Sequence, residues 1–365
     1  MLKEGKVGVF EAISLTTIMI ASKVLFSRPQ SHVNLLGPVG WYGVIISALT
    51  ALAGFYILFL LIKRFQGQNL VSVFEAVFGR WAGSLLLLLF AVWFIFNAGM
   101  TTREFVEAVK VYFYPLSPPS FLITFFLLPV ITVLYFGFEA VARTASLFAW
   151  PLLAAVIVII ILAAPLYNAS NLFPILGHGP GKTILHGLAR SSAYAEVVAL
   201  AVFVTSLQGL SNFKRAGVTA VVVSGLIISS TMLVYLMIFP YLVSAEMTIP
   251  LLVITRIIEY GRFFQRFESL FLFAWSVATI MTVAINLYVA LSIYCKVFRI
   301  DNHRALILPL AVIGFSLAIL PPDISSVVFI SNSLTENSWA ILFGIPLLAL
   351  LTAVIRGKKG GPSSA

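Results

Sequence analysis

A charged side chain inside a long apolar segment is expensive, so each one in this chain calls for a chemical reason. Lys23 lies in IMIASKVLF, well along the first apolar run, which also carries Ser14, Thr16, Thr17 and Ser22. Two readings of Lys23 stand. Its ammonium snorkels outward toward Arg28, or it is a fixed cation lining a cavity, able to hold a carboxylate or replace a bound sodium ion. Glu196 lies in ARSSAYAEVVALAVFV beside Ser191, Ser192 and Tyr194, with no basic residue within four positions. Its partner must come from another helix, with Lys23 the candidate, or its carboxyl is protonated. Asn97, Arg103, Glu104 and Glu107 share the third apolar run. Arg103 and Glu107 are i,i+4 neighbours and read as a structural ion pair, whereas Glu104 points elsewhere and needs a partner of its own. Glu139 and Arg143 repeat the i,i+4 spacing in a short connection. Asn286, in the eighth run, reads as an interhelical hydrogen bonder.

The elements that must position these groups follow from composition. Of 365 residues, 61% are hydrophobic and 10% charged, against about 25% charged in an ordinary soluble domain. Mean hydropathy is +1.06. The outside of such a chain is apolar as well as its core. A spanning helix needs roughly 20 apolar residues, and ten segments satisfy this: 9–27, 39–62, 82–110, 119–138, 145–166, 188–209, 216–240, 268–295, 305–321 and 338–355. They leave little length for an extramembrane domain. The reading is an all-α polytopic membrane protein, with residues 1–365 forming one transmembrane domain. Runs such as 85–98 are too long and uniform for a transmembrane β-barrel.

Basic residues orient the spans. Lys63, Arg64, Arg80, Lys214, Arg215, Lys296 and Arg356 fall in connections that share a side with the N-terminus, and outnumber Arg28, Lys182, Arg190 and Arg256 on the other. Both termini are therefore expected in the cytoplasm, with 356–365 a flexible cytoplasmic tail. The net charge of +10 reflects this topology rather than a nucleic-acid partner. No signal-peptide cleavage site is expected before Arg28. Two outside connections are more than turns: 167–187, rich in Gly and Pro, and 246–267, where Leu251, Ile254, Ile257 and Ile258 recur at helical spacing. The second reads as an amphipathic helix that either covers an outer vestibule or rests on lipid.

Several tempting motifs fail. GHGPGKT at 177–183 resembles a phosphate-binding loop but has three residues before Gly-Lys where four are required, and it follows no strand. His32, His178, His186 and His303 are scattered, and a single cysteine, Cys295, excludes an internal disulfide. With no metal set and no nucleophile–base constellation, neither an enzyme nor a cofactor is expected.

Polar residues at matching places in the first and sixth runs suggest two halves, 9–166 and 188–355. Because each half would hold an odd number of spans, the halves must be inverted relative to one another. In such a repeat, ligand sites form where discontinuous first helices meet, and the pattern is consistent with this although neither run carries a clear Gly or Pro break.

Two stretches carry a resemblance. YFGFEAVARTASLFAWPLL, with Glu139 and Arg143, resembles the G-[IL]-E-x-[IL]-A-R-x-x-E stretch of the spore germination permease family, the B subunits of nutrient germinant receptors. IPLLVITRIIEYGRFFQRFESLFLFAW resembles a second family stretch through Pro250, Arg256, Ile258, Phe264, Arg266, Glu268 and Trp275. Membership implies the amino acid–polyamine–organocation transporter fold, a LeuT-like five-plus-five inverted repeat. It also implies a multi-pass protein of the bacterial cell membrane or spore inner membrane, partnered by A and C subunits and membrane lipid. The ligand implied is a small germinant, typically an L-amino acid, that is sensed; an autonomous proton- or sodium-coupled amino-acid transporter is the alternative. By analogy the ligand site lies between spans one, three, six and eight, which nominates Ala21, Ser22, Lys23, Asn97, Tyr194, Glu196 and Asn286. The chain departs from the pattern twice. Ser146 replaces the motif's last glutamate, and Ala21-Ser22-Lys23 replaces a glycine-rich segment where related transporters unwind.

The charge bias makes one direct prediction. A reporter fused after Arg356 should be active only as a cytoplasmic fusion, and activity of a periplasm-dependent reporter there would reverse the topology.

Overall fold

The computed structural model describes residues 5–258 and 268–360, and all of its regular structure is helical. The first half comprises α1 (Val9–Ala21), α2 (Arg28–Leu36), α3 (Gly40–Arg64), α4 (Leu70–Phe78), α5 (Arg80–Tyr112), α6 (Pro119–Phe136) and α7 (Phe138–Leu162). The second comprises α8 (Pro180–Ala189), α9 (Ala199–Val202), α10 (Leu210–Ile238), α11 (Tyr241–Ser244), α12 (Pro250–Ile257), α13 (Glu268–Phe298), α14 (Arg304–Ile319), α15 (Ile324–Asn337) and α16 (Ile345–Ile355). Among the described residues, seven helical stretches are long and apolar enough to cross a membrane: Arg28–Arg64, Arg80–Tyr112, Pro119–Phe136, Phe138–Leu162, Leu210–Ile238, Glu268–Phe298 and Ile324–Ile355.

Three of the ten expected spans take a different form. The ninth is the shorter apolar helix α14. The first is α1 followed by a 3-10 turn, Ser22–Leu25. The sixth is a chain of short pieces: a 3-10 segment Arg190–Val198, then α9, then a second 3-10 turn Val204–Leu207. Both breaks form without glycine or proline inside them. The reason is tertiary. Irregular backbone is tolerated at membrane depth where protein surrounds it, and every residue from Arg190 to Val204 except Ala193 is buried. Carbonyls freed along this segment find donors elsewhere: Ala193 O accepts from Lys23 Nζ, Val202 O from Lys296 Nζ at 2.8 Å, and Ser206 O from Val7 N at 3.0 Å.

α13 is the central post. Every residue from Met281 to Ile293 is buried, as expected of a helix that is apolar on all faces and enclosed by protein. It packs on α1, α5, α6 and α7. The remainder of α1 lies against α10, while α3 joins α10 to the sixth segment. α7 buries only Phe138, Val141, Ala142, Ala145 and Ile159 and exposes Leu147, Trp150, Val158 and Ile161, so it forms an outer face.

The connections are more structured than the sequence suggested. α4 is absent from the expected spans. It is capped by Asn69, whose side chain accepts from Ser72 N at 3.0 Å, and buries Leu70, Val71, Val73, Phe74 and Val77. Asp323, exposed before α15, caps that helix by accepting from Ser326 N at 2.7 Å. That bond holds its carboxyl below the usual carboxylate range. The expected loop 167–187 contains a 3-10 turn at Ala169–Leu172 and most of α8. Of the expected amphipathic segment 246–267, α12 buries Leu251, Leu252 and Ile254 and packs on α13 and the Ser22–Leu25 turn. That apolar face of α12 is turned toward the protein.

The close approach of α4 to α5 depends on Gly83, where an added Cβ would lie 2.6 Å from Phe74 O. Because that neighbour is backbone, Gly83→Ala should cost about 1–3 kcal/mol. Thermal unfolding of the detergent-solubilised protein measures this, and an unchanged midpoint would show that the helices can separate freely.

Candidate functional site

The two helix breaks meet. Lys23, on the turn that follows α1, places Nζ 2.6 Å from Glu196 Oε2 on the sixth segment. Glu196 is fully buried and the Lys23 side chain is 13% exposed, so snorkelling is not the conformation adopted. The aligned hydrogen bond from Lys23 goes to Ala193 O, three residues before its ionic partner. One side chain thus satisfies both a buried carboxylate and a carbonyl freed by the break.

A neutral network continues from the carboxylate. Asn97 Nδ2 on α5 donates to Glu196 Oε1 at 2.9 Å and to Asn286 Oδ1 on α13 at 3.2 Å. Asn286 Nδ2 in turn donates to Thr282 O at 2.8 Å, and Thr282 Oγ1 lies 3.0 Å from Ser22 Oγ. Lys23, Ser22, Asn97, Glu196 and Asn286 therefore share one buried cluster drawn from spans one, three, six and eight. Thr282, one helical turn before Asn286, belongs with them and was missed; its i−4 spacing from Asn286 was the available signal.

Two nominated residues stand apart. Tyr194 is buried, but its hydroxyl has no hydrogen-bond partner and takes no part in this network. Ala21 lines a different space, an apolar crevice of about 250 Å³ bounded by α1, α7, α10 and α13. Ser22 also lines that crevice, but neither Lys23 nor Glu196 does, so it does not mark the polar site. Lys23 instead borders a cavity of about 20 Å³.

The remaining charged residues brace this arrangement. Arg103 and Glu107 are 2.7 Å apart and buried, and Arg103 also donates to Ala318 O on α14 at 3.3 Å. Glu104 finds its partner at the end of the first break, accepting from Ser27 N at 3.0 Å and from Ser27 Oγ. Glu139 and Arg143 pair on the exterior of α7. Pro250 opens α12. Arg256 reaches Glu268 Oε2 at 2.9 Å while lying 5.1 Å from the Tyr112 ring centre. Trp275 sits edge-on to Phe26 and Phe105, with centroids 5.3 and 5.1 Å away. Together these clamp α12 and α13 around the chain leaving the first break. Arg266 lies outside the described residues. Sequence reasoning assigned Arg28 and Arg190 to outer connections. Arg190 is in fact buried and pairs with Glu336 Oε1 of α15 at 2.8 Å.

Among the described residues no group of histidine, cysteine or carboxylate side chains is arranged to hold a metal ion.

A profile described as "Spore germination protein" matches residues 6–327. The chain belongs to the spore germination protein family. Its relatives in Bacillus subtilis (strain 168) include spore germination protein A2, 24% identical over 361 residues and covering 96% of each chain. Spore germination protein KB is 22% identical over 330 residues, covering 89% of this chain and 87% of that one. Solved structures with a similar fold include a Na+-coupled sialic acid symporter (TM-score 0.71, 15% identity, 95% and 79% coverage). MhsT in complex with L-phenylalanine is another (TM-score 0.64, 16% identity, 98% and 91% coverage). The nucleobase-cation symporter Mhp1 is a third (TM-score 0.69, 14% identity, 96% and 90% coverage). This spore germination protein family member is thus all-α, with the LeuT-like fold and several membrane-spanning helices.

The buried pair makes an energetic prediction. Removing one partner strands a charge at a cost of about 3–5 kcal/mol, whereas replacing both with apolar groups is much cheaper. Lys23→Met and Glu196→Leu alone should each destabilise the protein more than the double variant does. Additive losses in a thermal-unfolding double-mutant cycle would remove the coupling.

Proposed function

We propose that this chain is the B subunit of a spore germinant receptor. It binds a small nutrient, an L-amino acid, between spans one, three, six and eight and passes a conformational change to A and C subunits. The observation that carries the reading is the Lys23–Glu196 pair joining the two helix breaks. A zwitterion is the one small ligand class that can substitute for both partners at once. Its carboxylate replaces Glu196 on Lys23, and its ammonium replaces Lys23 on Glu196. Exchanging an internal ion pair for two ligand contacts conserves charge balance while freeing the breaks to separate, with Asn97 and Asn286 available to orient the ligand. A signal follows if the separated state binds the ligand better than the paired state.

The wider reading is a ten-span protein of two inverted halves, 9–166 and 188–355, with both termini cytoplasmic, in a bacterial cell membrane or spore inner membrane. The likeness to symporters favours a second reading, coupled amino-acid transport. Uptake into liposomes by the chain alone separates the two.

In nanodiscs, a panel of L-amino acids should include one that binds saturably to the wild type. Lys23→Ala and Glu196→Gln should each weaken it at least about tenfold, the loss of one charge-assisted hydrogen bond. Undiminished binding in both variants would move the ligand away from the ion pair.

A further inference from the structure

The cavity of about 20 Å³ lies where α2, α3, the sixth segment and α15 meet, and Lys23, Arg28, His32, Arg190, Tyr194 and Thr335 are among its lining residues. Its volume admits one water-sized group, since roughly 10–15 Å³ is the minimum for that. The chemistry of the lining is one-sided. Three lining residues are cationic and no carboxylate is among them. Three also carry buried polar atoms without a partner: Arg190 Nε, Tyr194 OH and His32 Nδ1. The first two are hydrogen-bond donors, and the third can be one.

The carboxylates nearby are committed. Glu196 faces Lys23, Glu336 takes Arg190, and Glu104 is held by Ser27. Arg28 donates to neutral acceptors alone: Ser331 O at 2.8 Å, Asn332 Oδ1 at 3.4 Å and Thr335 Oγ1. Among the described residues it forms no ion pair. A pocket lined by three cations, with three unused donors and no carboxylate of its own, is suited to an anion.

We propose that this cavity binds a small inorganic anion of the size and charge of chloride, which accepts from the unused donors of Arg190, Tyr194 and His32 and ties α2 and the sixth segment together. The cavity is too small for a carboxylate with a carbon skeleton attached. The inference stands apart from the germinant reading, because the anion is tested with no amino acid present.

Purified full-length protein in nanodiscs should bind radiolabelled chloride saturably. Its Tm should rise with chloride concentration when sodium chloride replaces sodium gluconate at constant sodium, as binding to the folded state alone requires. Tyr194→Phe, which removes a single hydroxyl, and Arg190→Gln should each weaken chloride about tenfold, the loss of roughly one hydrogen bond. Tyr194→Phe keeps the test open if Arg190→Gln fails to fold, and crystals grown in bromide should show an anomalous peak beside Arg190. Absence of saturable chloride binding in the wild type would leave only a water site and overturn the proposal. So would wild-type chloride affinity in the folded variants, or competitive displacement of chloride by an L-amino acid. None of these failures touches amino-acid binding at Lys23 and Glu196, so the two readings fall separately.

Discussion

In a hydrocarbon surrounding, a charge or a backbone carbonyl has only the protein to satisfy it, and the contact between Lys23 and Glu196 answers both demands at once. The lysine neutralises a fully buried carboxylate and also accepts the duty of hydrogen-bonding Ala193, whose carbonyl the 3-10 backbone leaves open. Without the pair, the sixth segment would hold an uncompensated charge and an unsatisfied carbonyl in its interior. The two breaks therefore stabilise one another, and Asn97 and Asn286 extend their satisfaction to α5 and α13. A site built this way is poised: whatever replaces the pair must bring two opposite charges.

The residues that carry the family resemblance serve mainly to hold that site in place. Trp275 packs against Phe26 just after the first break, and Arg256 bridges α12 to the start of α13. α12 presses its apolar face onto the same turn. Conserving charge and aromatic packing around a break is a mechanical role, distinct from touching a ligand. The second arginine layer, Arg28 and Arg190, fixes α15 to the same region from the opposite side.

The individual members of the site were legible because the bilayer makes polar residues conspicuous. Lys23, Asn97, Glu196 and Asn286 stand out against their apolar neighbours, and the structure collects all four in one cluster. Tyr194 shares the same stretch of sequence yet faces elsewhere, since residues two apart do not share a face of a helical turn. That Arg28 and Arg190 contact α15 was not legible, for the opposite reason. Near the ends of apolar runs, a basic residue that marks topology and one that is buried by a neighbouring helix look identical in sequence. α4 also escaped notice, because nine residues are too few to register as a span.

By itself the sequence determined that the chain is helical and membrane-embedded, because 61% hydrophobic residues in long runs admit no other satisfied backbone. It also determined which polar groups needed partners. Tertiary structure alone decided who those partners are and where the first and sixth helices break. Neither break carries a glycine or proline to announce it. The sixth is sustained because two lysines and a backbone amide from distant segments arrive to satisfy carbonyls that a regular helix would have used. That arrangement is a property of packed neighbours, and no local run of residues encodes it.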